Sequence, residues 1–289
     1  MAEEQDQDGY PTRLGSSDAD SIRLLGRDLA GELLGQVTFG ELAFWLVAGR
    51  RPTPGETRVF EAVLVALADH GFTPTAIAAR LTYLSAPDAL QGALAAGLLG
   101  GGSRFLGVTE DTGRFLAEAL AAAERDAAGA PPDPDPAGAG HARVPGDPGV
   151  ADARWDGIAR DAVRRRRDAG LLVPGLGHPV HKQGDPRTPA ILALADEEGL
   201  RGPHLRLFEA VGRVHHEILG RRLPLNGAGV CGAALADLGF RPEILRGFAL
   251  LARTAGLLGH LAEEQERPVA GRVYAAVDRN TVHVPPPTG

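Results

Sequence analysis

The sequence predicts an all-α fold, and three observations carry that prediction. Helix starts with recognisable caps follow one another from residue 17 to residue 87. The apolar residues after each start recur three and four apart, with no alternating strand pattern among them. Alanine and glycine are abundant and aromatics make up only 5% of the chain, a composition that suits closely packed helices.

In chain order, residues 1–12 read as a disordered tail. Ser17-Asp18-Ala19-Asp20 reads as a helix start, with Ile22, Leu25, Leu29 and Leu33 following at helical spacing. Thr38 and Glu41 form a capping box ahead of Leu42, Trp45 and Leu46. Thr53-Pro54-Gly55-Glu56 repeats the device with proline at the first helical position, and that helix stops near Gly71. Thr73-Pro74 opens another helix with Ile77 and Leu81 inward, and Pro87 opens one more through Leu98. Gly100, Gly101 and Gly102 end it, and Ser103 is placed to cap a helix through Leu116 and Leu120. The Pro/Gly/Ala mixture of 125–154, with His141 solvated in it, reads as a mobile loop. Structure resumes at Trp155. Further helices are expected over 188–198, 203–219 and 229–238. A last long helix starts at Pro242, with Phe248, Leu251, Ala255, Leu258 and Leu261 inward. An extended tail follows from Asn280.

Bulk properties narrow the function classes. A net charge of −7 and a pI near 5.7 give no reason to expect nucleic acid or an anionic membrane as a partner. The single cysteine, Cys231, excludes an intramolecular disulfide framework and suits a reducing cytoplasm. The first 17 residues lack the basic and apolar regions of a signal peptide. No run of 18 apolar residues occurs, so no span is expected.

The chemistry concentrates between Leu172 and Arg187. Two histidines, a lysine and an arginine fall within ten residues. Gly175, Gly177 and Gly184 permit close approach or positive φ, and Pro174, Pro179 and Pro186 fix φ. Such a loop can aim several side chains at one point and offer N–H groups to an anion. As a bare sequence it also fits a polar turn between helices. Arg164 to Arg167 reads better as a solvated helix end, favoured by the helix dipole, than as a phosphate site. Of His215 and His216, near the end of the 203–219 helix, one is expected to face solvent or cap the terminus.

The run from Gly175 to Arg187 resembles the G-[FYL]-G-H-x-V-x-K-x-x-D-P-R signature of citrate synthases and related citryl-CoA lyases. Leu223-Pro224-Leu225-Asn226-Gly227-Ala228-Gly229 resembles the family's L-P-x-N-V-D-G run. Arg253-Thr254-Ala255-Gly256 resembles its A-R-x-x-G, and Glu266-Arg267-Pro268 its E-R-P. The resemblance covers about residues 12–280 and is nearest to the short citryl-CoA lyases.

It implies a citrate synthase-like fold. A large helical domain would comprise 13–105 and 241–289, and a smaller one 106–240, with 125–154 a flexible insert. His178 would polarise the carbonyl, or hold the hydroxyl, of the oxo-acid part, and in cleavage would accept the hydroxyl proton. Arg187 and Arg253 would clamp substrate carboxylates with Asn226 nearby, and Arg267 would reach the neighbouring subunit's site. Pro174, Gly175, Leu176, Gly177 and Lys182 would border coenzyme A. No metal is implied, and the working form would be a homodimer. Where the family has a histidine that stabilises the acetyl-CoA enolate, the chain offers Arg104, which can equally pair with Glu110 or Asp111. Where the family has its catalytic aspartate, the chain has Ala228, which transfers no proton. Water, His216 or His181 are left to do so. The expected activity is carbon–carbon lysis of citryl-CoA or a related 3-hydroxyacyl-CoA to acetyl-CoA and an oxo acid such as oxaloacetate. The competing readings are a non-catalytic binder of a coenzyme A thioester or carboxylate and a condensing acyltransferase with a rearranged base.

Overall fold

The computed structural model describes residues 10–129 and 148–286. The tail expected over 1–12 and the insert expected over 125–154, with His141, fall largely outside them. The chain divides into two compact units, Met1–Glu61 and Ala62–Gly289.

The first unit corrects one expected helix. Residues 15–28 form a three-stranded antiparallel meander: β1 (Gly15–Ser17), β2 (Ile22–Leu24) and β3 (Arg27–Asp28). Asp18 turns the chain between β1 and β2. Its carboxylate accepts the N–H groups of Asp20 and Ser21 at 2.9 and 2.7 Å. An aspartate serves an Asx turn as readily as a helix cap. Leu25 and Gly26, both at positive φ, make the tight β2–β3 turn. A short π-helical turn over Leu29–Leu33 follows. The two capping boxes behave as expected. Thr38 Oγ1 accepts the Glu41 N–H at the start of α1 (Phe39–Ala48). At the start of α2 (Pro54–Ala68), Thr53 and Glu56 exchange both bonds.

The second unit is helical. Helices α3 (Pro74–Ser85) and α4 (Leu90–Leu99) pack on each other and on the long α10 (Pro242–Glu266). Ala76, Ala79, Ala93, Leu257 and Leu261 fill that seam. Pro87 precedes α4 in a turn rather than opening it, and the next helix starts at Val108, five residues past Ser103. Helices α5 (Val108–Gly129) and α8 (Pro203–Leu219) both pack on α9 (Gly227–Asp237), as does α7 (Arg187–Glu197). Helix α6 (Pro148–Asp168) begins before Trp155 and lies along α8, joined by the pairs Arg213–Asp156 and Arg160–Glu217. A further helix, α11 (Ala270–Arg279), packs on α3, although no helix start is legible ahead of it. Among the described residues no helix is long and apolar enough to cross a membrane.

Candidate active site

The site is built on a backbone zipper. Gly175 and Gly177 stand at φ +80° and +82°, a conformation that side chains resist. With Leu176 they run antiparallel to Pro224–Asn226. Gly177 N–H donates to the Pro224 carbonyl (2.7 Å), Asn226 N–H to the Gly175 carbonyl (2.9 Å), and Leu176 bridges Leu225. Both stretches singled out in the sequence therefore meet. A methyl at Gly175 would strike Phe208. Asn226 then spends its side chain on structure. Its Oδ1 caps α9 through the Gly229 N–H (2.8 Å), and its Nδ2 donates to the Gly177 carbonyl (2.8 Å). His215 is buried rather than solvent-facing. Its Nε2 accepts the Leu223 N–H and its Nδ1 lies 3.0 Å from the Val211 carbonyl, so it holds the loop that enters the zipper. Burial lowers its pKa and keeps it neutral for that task.

Beside the zipper lies a cavity of about 1120 Å³. His178, Arg187, Arg253, Arg104, Asn226, Ala228 and the Pro174–Gly177 backbone all line it. His216, Lys182 and Arg267 do not. Arg267 is exposed just beyond α10, Lys182 is exposed in the signature loop, and the His216 Nδ1 is buried without a partner. Sequence reasoning missed His70. It lines the cavity from the end of α2, with its ring 5.0 Å from that of His178. Its only sequence signal was a histidine beside the helix-ending Gly71. Arg114 and Arg221 were missed too, as was the cavity position of Arg166 and Arg167. Arg166 also holds the loop by donating to the Leu172 carbonyl.

The protonation state of His178 follows from its bonds. Its Nδ1 accepts the N–H groups of Val180 (3.0 Å) and His181 (2.9 Å). The neutral ring therefore carries its hydrogen on Nε2. Burial, then the neighbouring His181, lower its pKa and favour that neutral form. In that form the ring offers its Nε2–H as a hydrogen-bond donor. With Nδ1 taking two N–H groups and the hydrogen on Nε2, the neutral ring in this conformation has no spare lone pair for the hydroxyl proton expected to pass to it. The same bonds argue against a metal. His70, His178 and His181 bring ring nitrogens within 4.8 Å of one another. A ligating imidazole donates its second N–H outward, whereas that nitrogen of His178 is an acceptor.

Positive charge dominates the cavity. Seven arginines line it against two carboxylates, Asp111 and Glu118. Arg187 forms a two-pronged pair with buried Asp185 (2.9 and 2.7 Å). Arg253 donates to Asp69 at 3.2 Å and keeps a buried Nε–H without a partner. Burial lowers its pKa, Asp69 offsets part of this, and nearby Arg187 lowers it further. Asp69 is itself held by the Nε2 of His260 at 3.0 Å, and Arg80 donates to the Nδ1 of that ring. Arg104 makes no ion pair among the described residues: Glu110 pairs with Arg114 and Arg246, and Asp111 with Arg246. Such an arrangement suits a ligand carrying several negative charges.

Residues 26–273 match the model of the family described as citrate synthase, C-terminal domain. The chain belongs to the citrate synthase family. Among solved structures of this fold, the chain is similar to citryl-CoA lyase from Hydrogenobacter thermophilus. They share 26% identity over 97% of this chain and 96% of that one, with a TM-score of 0.76. It shares the fold of ATP citrate lyase from Methanothrix soehngenii, solved with citrate and coenzyme A. The figures there are 19% identity, 96% of this chain, 42% of that one and a TM-score of 0.69. It also shares the fold of citrate synthase from Thermoplasma acidophilum, at 18% identity, 80% and 54% coverage and a TM-score of 0.59. No curated protein matches the chain by sequence. Within the family's fold, the cavity is lined by His178, Arg187, Arg253 and Ala228 together.

Proposed function

We propose that the chain is a carbon–carbon lyase that cleaves citryl-CoA, or a related 3-hydroxyacyl-CoA, to acetyl-CoA and an oxo acid, and that it works as a homodimer. The observation that carries this reading is the convergence in one cavity of the His178 Nε2–H donor with Arg187 and Arg253. The likeness to citryl-CoA lyase supports the direction of reaction.

The arginines fix the carboxylates by charge-assisted bonds, and the surplus positive charge takes up the phosphates of coenzyme A. His178 donates to the oxygen on the carbon that becomes the carbonyl. That bond is held in place by the loop's own N–H groups, so no reorganisation is needed as charge develops. Arg104 lines the cavity without an ion pair among the described residues, and it would stabilise the enolate oxygen of the departing acetyl-CoA. The domain partition at 105/106 and 240/241 belongs to this proposal, since the cavity draws on residues from both parts.

Mass spectrometry of the protein incubated with citryl-CoA tests the reading. Acetyl-CoA and oxaloacetate are expected, formed about a hundredfold or more slowly by His178→Ala, the scale for loss of one such donor. Ala228 favours a second reading, a binder without turnover. An unchanged substrate that stays bound to the protein would select it.

A further inference from the structure

We propose that His70 is the proton carrier of this site, a single histidine that takes the hydroxyl proton and returns it to carbon. The inference rests on the lyase reading above and supplies the group that Ala228 lacks. Cleavage needs two proton movements. The hydroxyl must lose its proton as the carbon–carbon bond breaks, and the α-carbon of the enolate must gain one.

The residues of the cavity leave few candidates. Ala228 has no titratable group. Asn226 is committed at both ends of its amide. The arginines stay protonated at any physiological pH. His178 holds its Nε2–H as a donor, with its Nδ1 lone pair filled. His70 lines the same cavity, and its ring lies 5.0 Å from His178 and 5.5 Å from His181. Among the described residues no hydrogen bond occupies its ring nitrogens. Asp111 and Glu118 also line the cavity, but both belong to α5, and Asp111 faces Arg246 at 3.9 Å.

The geometry of the substrate lets one group do both jobs. The hydroxyl oxygen and the α-carbon hang on the same carbon, two bonds apart, so a ring nitrogen in reach of one is in reach of the other. The bond between the hydroxyl-bearing carbon and the α-carbon breaks, and its electron pair forms the thioester enolate. The hydroxyl proton passes to the neutral His70, and the oxygen becomes the carbonyl of the oxo acid, still held by His178. The imidazolium of His70 then protonates the α-carbon, giving the methyl group of acetyl-CoA and restoring neutral His70. Every atom and electron pair is accounted for without a second acid, a metal or a redox partner.

The test measures citryl-CoA cleavage and, by calorimetry, acetyl-CoA affinity for the unmodified protein, His70→Ala, His70→Gln, His70→Asn and Asp111→Asn. Cleavage is expected to fall about 10²- to 10⁴-fold in the His70 variants, the range for loss of a proton-transfer group, with acetyl-CoA affinity unchanged. Imidazole in the buffer is expected to restore part of the His70→Ala rate, which no purely structural role would allow. Cleavage within threefold of normal in the His70 variants would overturn the assignment and leave the lyase reading intact. So would a comparable fall in Asp111→Asn alone, or a fall in His70→Ala that comes with lost acetyl-CoA affinity and no imidazole rescue. An unmodified protein that leaves citryl-CoA intact would overturn the lyase reading and the carrier with it.

Discussion

At the scale of single residues, the signature loop works through partnerships that spacing does not reveal. Asp185 shows this. The sequence presents it as one letter of a motif, whereas the structure makes it the anchor of the site. It is 2% exposed, grips both prongs of Arg187 and accepts the Gly227 N–H at the start of α9 at 2.7 Å. Burial opposes its charge, but the Arg187 fork and the two N–H bonds outweigh burial and hold its carboxyl well below the usual carboxylate range. Because the folded-state value is depressed, the stability it contributes is fully present above the ordinary value of about 4 and is lost as pH falls below it. Asp185→Asn is therefore expected to melt much earlier than the unmodified protein at pH 7, with the gap narrowing toward pH 3. Breaking a buried pair costs about 3–5 kcal/mol. A gap of the same size at both pH values would refute the linkage. The second residue-scale expectation concerns His260. Arg80 donates to its Nδ1, so its Nε2–H must point at Asp69, which in turn faces Arg253. His260→Ala is expected to raise KM for the carboxylate substrate more than it lowers kcat, because it loosens a clamp and leaves the reacting atoms untouched. Steady-state kinetics on citryl-CoA decide it. Residue types were legible in the sequence: His178, Arg187 and Arg253 do share a cavity. Their hydrogen-bond directions were not, since these depend on backbone N–H groups that only the folded loop aims.

At the scale of elements, legibility followed the strength of local chemistry. Thr53, Glu56 and Thr73 mark helix starts because their side chains accept N–H groups within three residues, and Pro74 adds a fixed φ in the first turn. The stretch from Ile22 to Leu33 failed for the opposite reason. Its apolar spacing fits a helix, yet Asp18 and the Leu25-Gly26 turn commit it to a hairpin before any helical turn can nucleate. Helix α11 was missed because Val269 at its N-cap has no capping side chain; Glu264, back on α10, accepts the Val269 and Ala270 N–H groups instead. Helix α9 was legible as glycine- and alanine-rich, but its reason lies in α5. At Gly232 the two backbones approach so closely that a methyl group would run into the Thr109 carbonyl, which cannot swing away as a side chain can. Gly232→Ala is expected to lower stability by about 1–3 kcal/mol or more through overpacking, despite the better helix propensity of alanine. Urea denaturation measures it. An unchanged or raised midpoint would show that α5 yields without cost.

At the scale of the whole molecule, Arg267 offers a test of whether one chain holds a complete site. It matches a family arginine, yet it is exposed and lines no part of the cavity that holds His178. Further along the chain, Tyr274 and Val277 of α11, then Val282 and Val284, are exposed to solvent. A single chain gains nothing from that apolar surface, and a symmetric pair would cover it. The expected mass by light scattering is twice 30.1 kDa. A stronger test asks whether the partner's arginine completes the site. Arg267→Ala and His178→Ala should each be nearly inactive as purified. Mixed and allowed to exchange, they form hybrid dimers in which one site pairs an intact His178 with an intact Arg267 from the other chain. Half the dimers are hybrid and half their sites are whole, so about a quarter of native activity should return. Recovery of that size would place Arg267 in its partner's site. A dimer that recovers nothing would confine each site to its own chain, and Arg267 would be an ordinary surface charge.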